Sequence, residues 1–186
     1  MSLNAWFDKG MSLQQYIDNM TVNKEELQQI YDQFQLSADD RAFFEQLKEK
    51  DWRVIVLTAD WCGDAMLCVP IMMHIAEVAG IEMRLLIRDD NLELMDQYLT
   101  NGTSRSIPIF IFIDRDGNEK AVWGPRAPEV QQLIDDGKKS LPAKDDPEFA
   151  EKQKQMYRDF KKKLLSDQTL WHAVSRSMRQ RLAQSL

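Results

Sequence analysis

Apolar residues along this chain change their spacing twice. In the first 50 residues they recur every three or four positions, which predicts short amphipathic helices beginning at Ser12, at Asn23 and at Ser37 or Asp39. Short apolar or alternating runs in the middle of the chain predict strands, and helical spacing returns after residue 148. The pattern therefore predicts an α/β core with helices added at both ends.

Strands and helices alternate through the predicted core. Nearly unbroken apolar runs at 53–58 and 109–113 predict buried strands, and Asp114–Asn118 is a hairpin signal. From the third helix onward the predicted order is α-β-α-β-α-β-β-α. The remaining predicted elements are a helix from Cys62 to about Ala79, a strand at 81–87, a helix from Asp89 to Asn101, a strand at 119–123, a helix at 127–138, and helices at 148–165 and 167–182.

Composition narrows the possible classes of function. The chain has 186 residues, of which 44% are hydrophobic and 29% charged, as in a globular domain with additions. Its formal charge of −6 argues against general nucleic-acid binding. No apolar run approaches the roughly 18 residues of a membrane span, and the first residues lack the pattern of a signal peptide. Two cysteines suit a reducing compartment, so we expect a cytoplasmic protein.

One short segment carries the most specific signal in the chain. Trp61, Cys62 and Gly63 follow a predicted strand and open a predicted helix, and Pro70 lies eight residues after Cys62. This arrangement resembles the active site of the thioredoxin family, in which Trp-Cys-Gly-Pro-Cys opens a helix that a proline later kinks. Ala65 stands where that family has its second cysteine.

A second segment supports the same resemblance. Ile107-Pro108 precedes a strand in the way that the family's cis-proline does, and Trp123-Gly124-Pro125 resembles the family's third groove loop. The resemblance implies that Pro108 packs beside Cys62 and that Ile107 pairs with the backbone of a substrate. The substrate-binding residues predicted in this way are Trp61, Gly63, Ile107, Pro108 and Gly124.

The resemblance also implies a fold and a division of the chain. It covers about residues 38–139 and implies a thioredoxin-like fold, a three-layer α/β structure with a mixed central sheet flanked by helices. We therefore expect an N-terminal helical extension at 1–37, a thioredoxin-like domain at 38–139 and a C-terminal helical extension at 140–186. The family's first edge strand has no counterpart in the pattern, and the N-terminal helices are expected in its place.

The missing second thiol limits the chemistry. In a dithiol protein the second cysteine releases the product from the mixed disulfide that the first cysteine forms. Cys68 is the only other cysteine, and it lies six residues after Cys62 on the same predicted helix. That spacing separates the two by about 9 Å along the helix axis, whereas a disulfide needs Cα atoms about 4.4–6.8 Å apart. We expect Cys68 to be a buried apolar residue and Cys62 to react alone.

The local sequence predicts a weakly activated thiol. A helix N-terminus stabilises a thiolate, but Asp60 and Asp64 flank Cys62 and oppose a second negative charge. No Lys, Arg or His stands beside them in the sequence to offset those charges. The position of the buried acid that assists proton transfer in the family is Val56. Asp64 is also typical of a first helical turn, where it complements the helix dipole.

Three classes of function remain open. The first is a monothiol thiol–disulfide oxidoreductase with Cys62 as its catalytic residue, no bound cofactor and a low-molecular-weight thiol as co-substrate. The second is a redox-silent module that binds a peptide or protein partner beside Pro108. The third, which fits least, is a cluster carrier similar to monothiol glutaredoxins, whose basic residues surround glutathione; only Arg105 is an obvious candidate for that role here.

The expected partners follow from these classes. They are a protein or peptide with a thiol or disulfide, or a small thiol, with no nucleic acid and no membrane. His74 and His172 lack ligand spacing, so no metal site is predicted. Residues 158–181 contain seven basic and two acidic residues, a pattern typical of a solvated helical face and less often of a docking surface for an acidic partner. The apolar stripe of the same helices is expected to pack onto the domain.

Overall fold

A computed structural model describes all 186 residues, and it contains five strands and nine α-helices. The strands are β1 (Met11–Ser12), β2 (Arg53–Thr58), β3 (Glu82–Ile87), β4 (Ile109–Ile113) and β5 (Glu119–Trp123). The helices are α1 (Leu3–Lys9), α2 (Leu13–Asn19), α3 (Lys24–Gln33), α4 (Ala38–Gln46), α5 (Gly63–Ala79), α6 (Leu92–Met95), α7 (Pro128–Lys139), α8 (Phe149–Ser166) and α9 (Gln168–Ala183). None of them combines the length and apolar character that crossing a membrane requires.

The five strands form one mixed sheet in the order β1-β3-β2-β4-β5. Strand β2 runs parallel to β3 and antiparallel to β4, while β5 pairs antiparallel with β4. Every residue of β2 and of β4 is buried, because these strands lie in the interior of the sheet with both faces covered. The predicted thioredoxin-like α/β fold with a mixed, helix-flanked sheet is confirmed.

The expectation that no strand occupies the first edge was wrong. Strand β1 pairs antiparallel with β3, with Met11 opposite Leu85 and Ser12 opposite Arg84. Two residues are too few to show alternation, so the strand exists only through its partner. Ser12 then caps α2 with its side chain, as the helical spacing predicted.

Helix α5 lies at the centre of the structure. Thirteen of its 17 residues are buried, and α3, α4, α8 and α9 all pack against it. Its predicted extent from Cys62 to Ala79 is confirmed, with Gly80 ending it in the left-handed conformation. Because most of its length is covered, the helix reaches the surface mainly at its two ends, and Cys62 lies at the N-terminal one.

One helix was not predicted, and another is shorter than predicted. The seven-residue α1 was not predicted, although Ser2 caps it and its Trp6 and Phe7 are buried. The helix predicted from Asp89 to Asn101 is instead a 3₁₀ turn followed by the four-residue α6. The chain leaves the helix early because Thr100 pairs with Ser104 in a tight turn.

The C-terminal helix α9 is joined to the domain by a buried polar contact. Asp40, which is 3% exposed, accepts a hydrogen bond from Ser175 Oγ at 2.6 Å and pairs with Arg179 at 3.0 Å. The apolar stripe of α8 and α9 packs onto the domain, as expected, with Leu164, Trp171 and Met178 fully buried. Asp40 therefore connects α4 to α9 where water cannot replace the lost partner.

Replacing Asp40 with Ala is expected to lower the free energy of unfolding by about 2–3 kcal/mol, because it leaves Ser175 and Arg179 without their buried partner. Urea denaturation followed by circular dichroism measures this loss. Asp39→Ala is the matched control, since Asp39 lies in the same helical turn but is exposed, and it should cost less than about 1 kcal/mol. Equal losses for the two variants would show that Asp40 acts only through the helix dipole.

Candidate functional site

Cys62 is the last residue of the loop that joins strand β2 to helix α5. It has extended backbone angles and is the N-cap of α5, where its sulfur accepts a hydrogen bond from Ala65 N at 3.4 Å. The thiol in turn donates to the carbonyl oxygen of Ile107 at 3.5 Å. Cys62 is only 8% exposed. Its sulfur is thus held between the first turn of α5 and the loop that precedes β4.

Three loops meet at this sulfur. The Ile107–Pro108 peptide bond is cis, and Pro108 is buried next to Ile107. Gly124 has a φ of +140°, and a Cβ atom there would collide with the carbonyl oxygen of Pro108, so only glycine fits. The Gly124–Pro125 bond is also cis. The loop after β5 is therefore pressed against the loop before β4.

Asp64 has a cationic partner that the local sequence does not contain. Arg126, from the loop after β5, donates to Asp64 Oδ2 through Nε at 2.9 Å and through Nη2 at 2.8 Å. The segment around Cys62 contains no cation, as the sequence showed, but the fold brings one to Asp64 from 62 residues away in the chain. The other oxygen of Asp64, Oδ1, is buried and has no hydrogen-bond partner in the protein.

Asp60 does not act on the thiol in the way its position suggested. Its Oδ2 accepts hydrogen bonds from the backbone N–H of Thr21 and Val22 and from the Thr21 hydroxyl. Its carboxylate therefore fixes the loop between α2 and α3. Asp60 lies near Cys62 in the sequence, but in the structure its carboxylate binds the N-terminal segment.

Burial raises the pKa of the Cys62 thiol to about 11, and the Asp64 carboxylate contributes further in the same direction. Backbone N–H groups of Ala65 and Asp64 and the Arg126 guanidinium favour the thiolate, but less strongly. Burial also raises the pKa of Cys68 well above its ordinary value. At pH 7 a thiol with such a pKa is about 0.01% ionised, so Cys62 is a neutral hydrogen-bond donor there.

Two clefts open beside Cys62. The first, which we call the arginine cleft, has a volume of about 260 Å³ and contains Cys62 together with Trp61, Arg88, Ser104, Arg105, Ser106 and Arg126. The Arg88 guanidinium lies over the Trp61 ring at 4.9 Å, and Ser104 and Ser106 share a hydrogen bond of 2.8 Å. Cations and hydroxyl groups dominate this side of the thiol.

The second, which we call the aromatic cleft, has a volume of about 410 Å³ and lies against helix α8. Val22, Trp61 and Tyr157 line it, and they are 44%, 52% and 45% exposed, respectively. The other strongly exposed large apolar residues of the chain are its two terminal residues. A cluster of exposed apolar side chains is typical of a surface that binds a protein or a small ligand. Clefts of about 450 and 440 Å³ lie elsewhere and contain no cysteine, so volume alone does not identify the site.

The predicted site residues occupy different parts of this region. Trp61 lines both clefts, and Ile107 lines the arginine cleft. Gly63 lines the aromatic cleft, where a Cβ atom would meet nothing within 4 Å. Pro108 is buried, and Gly124 lines a separate cleft beyond it.

Nothing in the sequence indicates that several residues of the two clefts lie close together. Arg88, Arg126 and Tyr157 come from segments far apart in the chain, and only tertiary packing brings them to Cys62. His74 instead stacks on Tyr31 and contacts its carbonyl oxygen at 2.7 Å. No three His, Cys, Asp or Glu residues are grouped as a metal ion would require.

The thiol of Cys62 should be alkylated ever faster as the pH rises towards about 11, because burial and Asp64 raise its pKa and the thiolate is the nucleophile. Asp64→Asn should shift this profile to lower pH, since it removes the anion and leaves the positive charge of Arg126 near the sulfur. Iodoacetamide alkylation followed by mass spectrometry in a Cys68→Ser background measures both profiles.

Asp60→Asn is the matched control for that shift. Asp60 also neighbours Cys62 in sequence, but its carboxylate binds Thr21 and Val22, so the profile should stay where it is. A shift of equal size in both variants would mean that unspecific charge, and not the placement of Asp64, sets the pKa of the thiol.

Comparisons with known proteins identify the family and the fold of this chain. A sequence profile described as Thioredoxin matches residues 10–139. A solved protein of unknown function from Pseudomonas aeruginosa is 15% identical, with a TM-score of 0.68 over 100% of this chain and 99% of that one. An HIV epitope scaffold is 14% identical, with a TM-score of 0.67 over 100% of both chains. No curated protein matches this chain significantly. The structures share the fold, and the profile match over more than half of the chain shows that the protein belongs to the thioredoxin family.

Proposed function

We propose that the protein is a monothiol thiol–disulfide oxidoreductase that acts through a mixed disulfide at Cys62. The observation that carries this proposal is the position of the Cys62 sulfur. It lies at the N-cap of α5, against Ile107, where two clefts meet. Ala65, which takes the place of a second cysteine, has no thiol that could release the adduct.

The proposed reaction balances with an external disulfide and an external thiol. The Cys62 thiol loses its proton to solvent, and the thiolate attacks one sulfur of a disulfide RS–SR. The S–S bond of the substrate breaks, a bond from Cys62 to one RS group forms, and the other leaves as RS⁻. A second external thiol then attacks the mixed disulfide and regenerates Cys62.

The raised pKa makes this reaction slow at neutral pH but does not abolish it. Compared with an ordinary thiol of pKa about 8.5, a thiol of pKa about 11 has roughly 300-fold less thiolate at pH 7. The more basic thiolate is intrinsically about 10- to 20-fold more nucleophilic. The net attack is therefore roughly 15- to 30-fold slower. Because a basic thiolate is also a poor leaving group, an adduct at Cys62 is released slowly.

Cys68 does not provide the missing second thiol. It is 1% exposed, its sulfur contacts the carbonyl oxygen of Pro125 at 3.9 Å, and α5 runs as one helix from Gly63 past this residue. An internal disulfide would require the first turns of α5 to unwind within the core. Release of an adduct from Cys62 consequently depends on a thiol from outside.

A redox-silent binding module is the second candidate, and one observation favours it. The neutral Cys62 thiol donates to Ile107, and the exposed Val22, Trp61 and Tyr157 surround the adjoining cleft. Exposed aromatic residues such as Trp61 and Tyr157 are enriched where proteins bind one another. In this alternative Cys62 is a polar contact in the cleft and its redox chemistry is incidental.

Cys62→Ser should abolish mixed-disulfide formation with bis-hydroxyethyl disulfide, while Cys68→Ser should leave it unchanged. The reason is that Cys62 alone adjoins the clefts, and Cys68 is buried behind it. Mass spectrometry of the intact protein measures the adduct. The wild-type protein should gain no internal disulfide under mild oxidation.

Ala65→Cys tests whether the missing second thiol is what limits the activity. It restores a second thiol one helical turn after Cys62, so insulin reduction driven by dithiothreitol should rise by at least about tenfold over the wild type. Ala76→Cys, another buried alanine of α5, is the matched control and should stay inactive. An inactive Ala65→Cys, combined with a wild type that forms no adduct, would leave the binding module as the function.

A further inference from the structure

We infer that the arginine cleft is a subsite for an acidic group, so that the preferred substrate of Cys62 is a small disulfide that carries a carboxylate a few bonds from its sulfur. This inference rests on the proposed function and specifies its substrate class. The cleft contains three arginines and a single carboxylate, Asp64, in a chain whose formal charge is −6. Because Asp89 and Asp96, the carboxylate partners of Arg88 and Arg105, lie outside the cleft, its lining presents more guanidinium than carboxylate groups.

The three arginines come from three separate loops and are held in place by different partners. Arg88 lies over Trp61 and donates to Asp89 and to the carbonyl oxygen of Arg105. Arg105 binds Asp96 through Nε at 2.8 Å and Nη2 at 3.0 Å. A guanidinium that is already fixed loses little entropy when it binds a further acceptor, so the cleft is preorganised.

The partners of Arg88 and Arg105 reduce but do not remove the attraction for an anion. Asp89 and Asp96 do not line the cleft, and the pair of Arg105 with Asp96 is about half exposed on both sides. Exposed ion pairs are weak because water screens them, so a ligand carboxylate can share the guanidinium. Nη2 of Arg88 and Nη1 of Arg105 donate to no protein group.

Asp64 determines where in the ligand the acidic group must be. Its carboxylate adjoins Cys62 and repels an anion directly at the sulfur, whereas Arg126 is already bound to it. The acidic group is therefore drawn to the side of Arg88 and Arg105, which requires a short spacer from the reacting sulfur. The volume of about 260 Å³ is below that of pockets for drug-sized ligands, so the ligand part that enters is small.

Three symmetrical disulfides of similar size and different charge test the inference. Dithiodipropionate is anionic, bis-hydroxyethyl disulfide is neutral and cystamine is cationic. The rate of adduct formation at Cys62 is measured by mass spectrometry in a Cys68→Ser background at about pH 8, where these charges are present. Each rate is divided by the rate of the same reagent with 2-mercaptoethanol, which removes differences in intrinsic reactivity.

The normalised rate should be about tenfold higher for dithiodipropionate than for cystamine at low salt, and the ratio should approach one at high salt. Arg105→Ala should lower this ratio at least about threefold, and Arg105→Lys should retain most of it because the charge remains. Arg115→Ala should change nothing. Arg115 forms an equally exposed two-point pair with Asp51, but it lies in the β4–β5 hairpin at the opposite end of the sheet.

The outcomes separate this inference from the proposed function. Equal normalised rates for the three disulfides, a preference for cystamine, or equal effects of Arg105→Ala and Arg115→Ala would overturn the acidic subsite while Cys62 remained reactive. Failure of all three disulfides to modify Cys62, although iodoacetamide alkylates it, would remove the proposed function and the subsite with it.

Discussion

The burial of helix α5 is the constraint on which the rest of the structure depends. Four other helices pack against it, and its sequence is accordingly almost free of charge beyond the first turn. A helix that is covered on its sides can present reactive groups only at an end. This places Cys62, the N-cap residue, where the loops before β4 and after β5 can close over it, and it confines Cys68 to the core.

The same burial explains the electrostatics of the site. Taking Cys62 out of water disfavours its thiolate, and taking Asp64 out of water requires a partner for its charge. Arg126 supplies that partner from the loop after β5, which Gly124 holds against Pro108. The thiol is therefore held neutral by its surroundings, while the charge pair beside it joins the first turn of α5 to the loop after β5. A more exposed Cys62 would ionise more readily, but it would lose the close contact with Ile107.

The sequence was informative where a local pattern decides the structure and uninformative where a distant contact does. Strands β2 and β4 and helix α5 were predicted because their apolar runs are long and their flanking turns are distinctive. Strand β1 was missed because two residues carry no period, and α6 was overextended because the Thr100–Ser104 turn competes with the helix. The roles of Asp60 and Asp64 could not be assigned locally, since Thr21 and Arg126 lie about 40 and 60 residues away.

The two clefts beside Cys62 have different origins, and this difference bears on selectivity. The arginine cleft is built entirely from residues within the part of the chain that matches the thioredoxin profile. The aromatic cleft takes Tyr157, Phe160 and Leu164 from α8, which follows that part. Helix α8 therefore forms one wall of a cleft that contains Cys62. Under the proposed function, a substrate in the arginine cleft meets chiefly arginine and serine side chains, and one in the aromatic cleft meets more apolar side chains. Trp61 and Arg126 line both clefts.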